Sequence, residues 1–271
     1  MILGWKNRLD DPLKSIAVSG TGWVQDLPLE NMLVDPLGRV ARTTGAGPAT
    51  TLDIFWPGMT LRVLGLLNAD AGGKLITLRL TVGETAFGDT DMYDSGTLTR
   101  ADLKLREGYA QIYFVVPPLG LGAGEGDGYI RLTLTKAESI DIGRLVLYGP
   151  DDPVGLTGGF WEPPRNYAHG AGLTWDDPSP VLETLGGQEV ARGAPRRRRF
   201  DFDLPNNARD GMLDNIFELD RIAGTTGNIL VMLDPVNRPV EQSLWGRLEV
   251  STPLIESRGR MGKRFIVRER L

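Results

Sequence analysis

Four consecutive arginines, Arg196 to Arg199, run directly into Phe200-Asp201-Phe202-Asp203-Leu204. Guanidinium groups in series are suited to phosphates, and nucleic-acid affinity comes chiefly from such neutralisation. The whole chain carries a net charge of -5, however, which is not the balance of a dedicated nucleic-acid binder. Period-two alternation puts Phe200, Phe202 and Leu204 on one face of a strand and Asp201 and Asp203 on the other. Arg197 and Arg199 then share the acidic face, while Arg196 and Arg198 extend the apolar one. The stretch reads as a charged strand face that pairs arginine with carboxylate on a neighbouring strand or subunit, where the planar guanidinium fork suits bidentate contact. Residues 258–270 add six Lys/Arg against one acid, Arg264 and Arg268 among them, and form a second surface for acidic partners.

Other constellations are sparser. His169 is the single histidine, so multi-histidine metal sites are excluded; no G-x-S-x-G motif accompanies it, and it reads as a loop residue. With no cysteine there is neither a disulfide framework nor a thiol nucleophile. Asp89-Thr90-Asp91-Met92-Tyr93-Asp94 offers oxygen ligands, but it lacks the glycine and the terminal glutamate of a calcium loop and reads as a solvated turn. The alternating glycines of Gly120 to Gly128 lie between two β-runs, not before a helix, so they form a hairpin loop rather than a phosphate cradle. No cofactor and no catalytic residue is expected.

The elements that must position these residues are short and β-rich. The 35 Gly and 18 Pro exceed what helix interiors tolerate, and the apolar runs are rich in Leu, Val, Ile and Thr. Six runs of strand length, 51–56, 61–67, 75–82, 110–116, 129–135 and 140–147, predict a β-sandwich in residues 1–150. Residues to about 50 form an irregular wrap with one or two strands. A Pro/Gly/Asp cluster, Gly149 to Gly159, marks a linker or ordered interdomain loop. Residues 151–271 form a second β-sandwich, with strands at RRRRFDFDL, Asn228–Asp234, Leu244–Val250 and Arg264–Arg270. Its one helix lies near 208–224, capped by Asn206 or Asn207 and closed by Gly224, with Met212, Leu213, Ile216, Phe217, Leu219 and Ile222 in one apolar stripe. The fold class is all-β. No apolar run reaches 18 residues and no secretory signal opens the chain, so a soluble protein made in the cytoplasm is expected.

The run Pro28-Leu29-Glu30-Asn31-Met32-Leu33, then Gly38 to Thr43, then Ser139 to Leu147, resembles a jelly-roll module of the galactose-binding or discoidin type found in phage tail proteins. The second half, with RRRRFDFDL, the helix, Gly227 to Pro235 and Leu244 to Leu248, is similar to β-sandwich domains of phage and prophage tail-tip proteins. The order of the two modules is reversed relative to the usual distal tail protein. The resemblance implies a virion structural protein, assembled in the host cytoplasm, that forms a ring at the tip of a long non-contractile tail. Its partners would be its own copies, as a hexamer or trimer, and the tube, hub and tape-measure proteins. Arg197, Arg199, Asp201, Asp203, Arg264 and Arg268 would lie at or near the interface. A second reading is a carbohydrate-binding module for host-surface glycans, with Trp56, Tyr93 or Tyr109 stacking on sugar rings. Neither reading calls for nucleic acid or membrane insertion.

Overall fold

The computed structural model describes residues 1–11, 15–35, 37–71, 73–105, 108–118, 126–150, 159–164, 166–167, 170–177, 179, 181–183, 189–191, 193, 196–224, 226–251, 255–257 and 260–270. In the first 150 residues the strands are β1 (Ile2–Gly4), β2 (Ala17–Thr21), β3 (Ala41–Arg42), β4 (Thr50–Trp56), β5 (Val63–Leu67), β6 (Ile76–Gly83), β7 (Tyr93–Asp94), β8 (Leu98–Thr99), β9 (Gln111–Val115), β10 (Gly128–Lys136), β11 (Asp141–Ile142) and β12 (Arg144–Tyr148). Then follow β13 (Phe160–Trp161), β14 (Gly172–Asp176), β15 (Val181–Glu183), β16 (Glu189–Ala191), β17 (Arg197–Ala208), β18 (Asn228–Met232), β19 (Ser243–Ser251), β20 (Ile255–Ser257) and β21 (Arg260–Glu269). The chain is all-β with antiparallel sheets, as its composition predicts. Much of the 149–159 cluster, the 120–128 glycine run and His169 lies outside the described residues.

A six-stranded sheet, β2-β4-β10-β6-β7 with β8 also on β6, forms one layer. Its central strands turn one row of side chains inward: Leu52, Ile54 and Trp56, Ile130, Leu132 and Leu134, and Leu78, Leu80 and Val82 are buried on one face. The other face carries cross-strand pairs such as Arg131 with Asp53, in register and joined bidentately at 2.6 and 2.8 Å. The buried face packs on a three-stranded sheet, β12-β5-β9, through Leu64, Leu66, Ile112, Phe114, Leu145 and Leu147.

In the three-stranded sheet every residue of β5 and β12 is buried, and after Arg144, which pairs with Asp10 and Asp35, apolar residues run on without alternation. Both faces are covered, so no position is left for a solvated side chain. The second face, Val63, Leu67, Tyr113, Val146 and Tyr148, meets Ile2, Leu230, Met232 and Trp245 of an eight-stranded sheet ordered β13-β1-β18-β19-β21-β17-β14, with β20 also on β21. Contact is close because glycine stands where a side chain would collide: a Cβ on Gly4 would lie 2.6 Å from the Tyr148 ring. Residues 2–4, numbered within the first of the two expected domains, thus sit in the sheet of the second, between β13 and β18.

The far face of the eight-stranded sheet, including Leu3, Phe200, Phe202, Val231, Leu244, Phe265 and Val267, is covered by helical residues Met212, Ile216, Leu219 and Ala223. The helical segment runs over Arg209–Ile222, with Met212–Phe217 wound more widely than an α-helix. It issues directly from β17. Asn207 is therefore in register with Met261 and donates to the Pro205 carbonyl at 3.3 Å instead of capping a helix, and Asn206 is likewise in the strand. The expected six-residue stripe divides: Met212, Ile216 and Leu219 are buried, but Leu213, Phe217 and Ile222 are exposed, Phe217 by 58%. One sheet face covers only one row of a helix, and those six positions span more than one row. Gly224 closes the segment at φ +50°, as its sequence position predicts. Gly224→Ala is expected to cost about 1–2 kcal/mol in urea unfolding, since a Cβ there meets nothing closer than 3.7 Å and only the left-handed backbone is penalised.

Candidate interaction site on the arginine strand

β17 lies between β21 and the edge strand β14, and its alternation sends its arginines to two different environments. On the outer face Arg199 stands opposite Arg268, and Arg268 opposite Arg247. Like charges in register repel. Glu249 relieves this by reaching Arg199 Nε at 3.3 Å and Arg268 Nη1 at 3.5 Å, and Asp176 takes Arg268 Nη2 at 3.1 Å. Asp201 binds Arg264 bidentately at 2.9 and 2.6 Å, while Asp203 is exposed and stands in register with Arg264. The arginine–carboxylate pairs of this face therefore form between strands of one chain, some adjacent and some one strand apart.

Cations remain in excess. Arg197 has a buried Nε without a hydrogen-bond partner, and neither Arg197 nor Arg247 makes an ion pair among the described residues. The two lie in an open depression of about 580 Å³ together with Leu248, Glu249, Arg268, Glu269 and Arg270. Arg264 holds the Asp201 carboxyl below its ordinary value of 3.8, through the hydrogen bonds first and charge second. A depressed folded-state value means that the contribution is full above the unfolded value and is lost as pH falls through the folded one. The Asp201 carboxyl is expected to titrate below 3.8 by NMR, and Arg264→Gln to bring it back towards that value.

Arg198 points the other way and is fully buried. Its Nη2 and Nε donate to Glu269 Oε1 at 2.6 and 3.0 Å, its Nη1 to the Val240 carbonyl at 3.0 Å, and Nη2 also to Gln111 Oε1 at 3.3 Å. The guanidinium lies 5.0 Å from the centre of the Tyr109 ring. Gln111, from β9, also accepts from the Trp245 amide at 2.9 Å and the Tyr113 hydroxyl at 2.6 Å, and donates to the Trp245 carbonyl at 3.0 Å. Burial raises the Tyr113 hydroxyl well above its ordinary range, which keeps it protonated and donating. The cluster clamps β17 and β21 to the three-stranded sheet. Arg196, expected on the same face, precedes the strand and stays exposed, paired with Asp177 at 3.1 Å.

The three aromatic candidates for sugar stacking sit apart. Trp56 is fully buried in the first core, because its place in the β4 alternation turns it inward, so its ring has no face open to a ligand. Tyr93 is half-buried against the same core, its hydroxyl raised by burial and by Asp94. Tyr109 lies under Arg198 and meets Trp175 edge-on at 5.9 Å. Trp175, 45% exposed on β14, is not among the sequence candidates; its local signal is the alternation of Leu173 and Trp175, which the structure sets in register with Phe200 and Arg198.

In the acidic segment, Asp94 pairs bidentately with Arg79 at 3.0 and 2.7 Å, and Asp89 accepts from the Thr85 hydroxyl at 2.7 Å. No group of three potential ligands is gathered for a metal among the described residues. No helix among them is long and apolar enough to cross a membrane.

No family model matches the chain, and no curated protein does. Among solved structures it is similar to a GH29 fucosidase of Ruminococcus gnavus in complex with fucose, at TM-score 0.37 and 11% identity over 53% of this chain. The match spans 26% of the fucosidase chain. It is also similar to a chain from reduced XRCC1 bound to the DNA pol beta catalytic domain, at TM-score 0.32 and 11% identity over 55% of this chain and 99% of that one.

Proposed function

We propose that this protein is a structural building block that associates with copies of itself into a ring, at the distal tip of a long non-contractile phage tail, joining the tail tube to hub or receptor-binding parts. The observation that carries the associative part of the reading is the eight-stranded sheet. A buried clamp ties it to the three-stranded sheet, yet among the described residues it ends in an edge strand, β14, that exposes Leu173 and Trp175. Its outer face beside that edge carries arginines in excess of acids. An unpaired edge with apolar side chains is a template for another chain, and excess charge of one sign selects the partner. The placement in a tail rests on the resemblance of sequence order alone.

Light scattering on the purified protein at several micromolar concentrations tests it. A single ring-sized species, dissociating at high salt, is the expected result; a monodisperse monomer throughout would overturn the reading. A carbohydrate-binding role has one observation of its own, the half-exposed Trp175 ring beside Tyr109. Glycan-array binding that disappears in Trp175→Ala would favour it over assembly.

A further inference from the structure

The arginine depression and the turn that follows β6 carry opposite charge, and neither is neutralised. Glu84, Asp89 and Asp91 make no ion pair among the described residues, and the neighbouring Arg131 is committed bidentately to Asp53. The turn is ordered: Thr85 Oγ1 donates to Asp89 at 2.7 Å, the Glu84 amide to Asp91 at 3.4 Å, Gly88 adopts φ +95°, and Phe87 packs edge-on against Tyr129 at 5.3 Å. On the other side, Arg197 and Arg247 line the depression and make no ion pair among the described residues. Carboxylates delivered to the depression would pair with the guanidinium groups of Arg197 and Arg247, which have no acid of their own among the described residues.

The geometry points to an occupant of this depression: we infer that it is the socket for the Glu84–Asp91 turn of a second copy of the chain. This rests on the proposed self-assembly and specifies its contact. The turn belongs to the six-stranded sheet and the socket to the eight-stranded one, with the three-stranded sheet packed against both. The two surfaces are different patches, so the contact is heterologous: each copy offers a turn to one neighbour and a socket to the other. Such contacts close into rings when the rotation allows, and otherwise grow into filaments. Charge matching of exposed groups makes the contact sensitive to salt, with a Debye length of about 10 Å at 0.1 M.

The test uses the full chain with reversed charges: Arg197→Glu with Arg247→Glu on the socket, and Glu84→Lys with Asp91→Lys on the turn. Because Asp91 accepts backbone hydrogen bonds, Glu84→Lys alone is the second turn variant, and thermal melting checks that each is folded. Sedimentation velocity should show wild-type assembly at 50 mM salt that weakens at 500 mM, with each doubly reversed variant weakened by at least about tenfold at 50 mM. An equimolar mixture of the two doubly reversed variants should assemble again, since each reversed surface meets its reversed complement. Wild-type assembly that survives both reversals, or a mixture that fails to recover, would overturn the socket and leave self-assembly standing. A wild type that stays monomeric would overturn both.

Discussion

Arg198→Ala is expected to destabilise the protein by about 3–5 kcal/mol, the cost of removing one partner from a buried ion pair. The two side chains are 1% and 2% exposed, so Glu269 would be left charged without water or counter-ion. The loss would reach further than the pair. Gln111 would keep its contacts with Trp245 and Tyr113, but the Val240 carbonyl would lose its donor and Tyr109 the cation above its ring. Differential scanning calorimetry should show the melting temperature falling by roughly 6–20 °C. Arg197→Ala, one position earlier on the open face, should change stability by no more than about 0.5 kcal/mol. Arg198→Met combined with Glu269→Leu should recover most of the loss, because no lone charge remains buried. A cost below about 1 kcal/mol for Arg198→Ala would mean that the pair does not hold the layers together.

The second large effect is expected at Tyr148, whose ring fills the space under Gly4 and whose hydroxyl accepts from Trp245 Nε1 at 3.0 Å. Tyr148→Ala empties a fully buried site between two sheets, and urea unfolding followed by tryptophan fluorescence should show a loss of about 3–5 kcal/mol. Tyr148→Phe keeps the ring and leaves one buried indole N–H unmet, for about 1–3 kcal/mol. Burial raises the Tyr148 hydroxyl far above its ordinary value, so it stays neutral across the working range and neither variant should acquire new pH dependence near neutrality. Equal losses in the two variants would assign the whole effect to the hydrogen bond and none to packing.

How much of this was legible in the sequence depends on whether the signal was local. The alternation of β4, β6 and β10 announces one buried face each, and the structure places those residues accordingly. Val63 to Leu67 and Leu145 to Tyr148 announce strands too, and their run without polar alternation carries a second message, that both faces are covered. Nothing local says what covers the second face. Parity correctly turned Arg198 inward, away from Arg197 and Arg199, yet its partners Glu269 and Gln111 are far off in sequence. No pattern of period two reaches them. Trp56 looked like a candidate platform from residue type, whereas its own strand's alternation already marked it as core. The helix stripe failed on geometry: six apolar residues in a short helix cannot all face one sheet, and Phe217 is the one most plainly left outside.

The position of β1 has a consequence for how the molecule is made. Ile2, Leu3 and Gly4 hydrogen-bond to Met232, Val231 and Leu230 on one side and, through Leu3 and Gly4, to Trp161 and Phe160 on the other. This short segment is synthesised well before β13 and β18 and has neither partner until they follow. Long waits for distant partners slow folding, because the loop must close before any contact rewards it. The eight-stranded sheet therefore cannot be completed from residues 151–271 alone: β1, made well before β13 and β18, has to be held available until both exist.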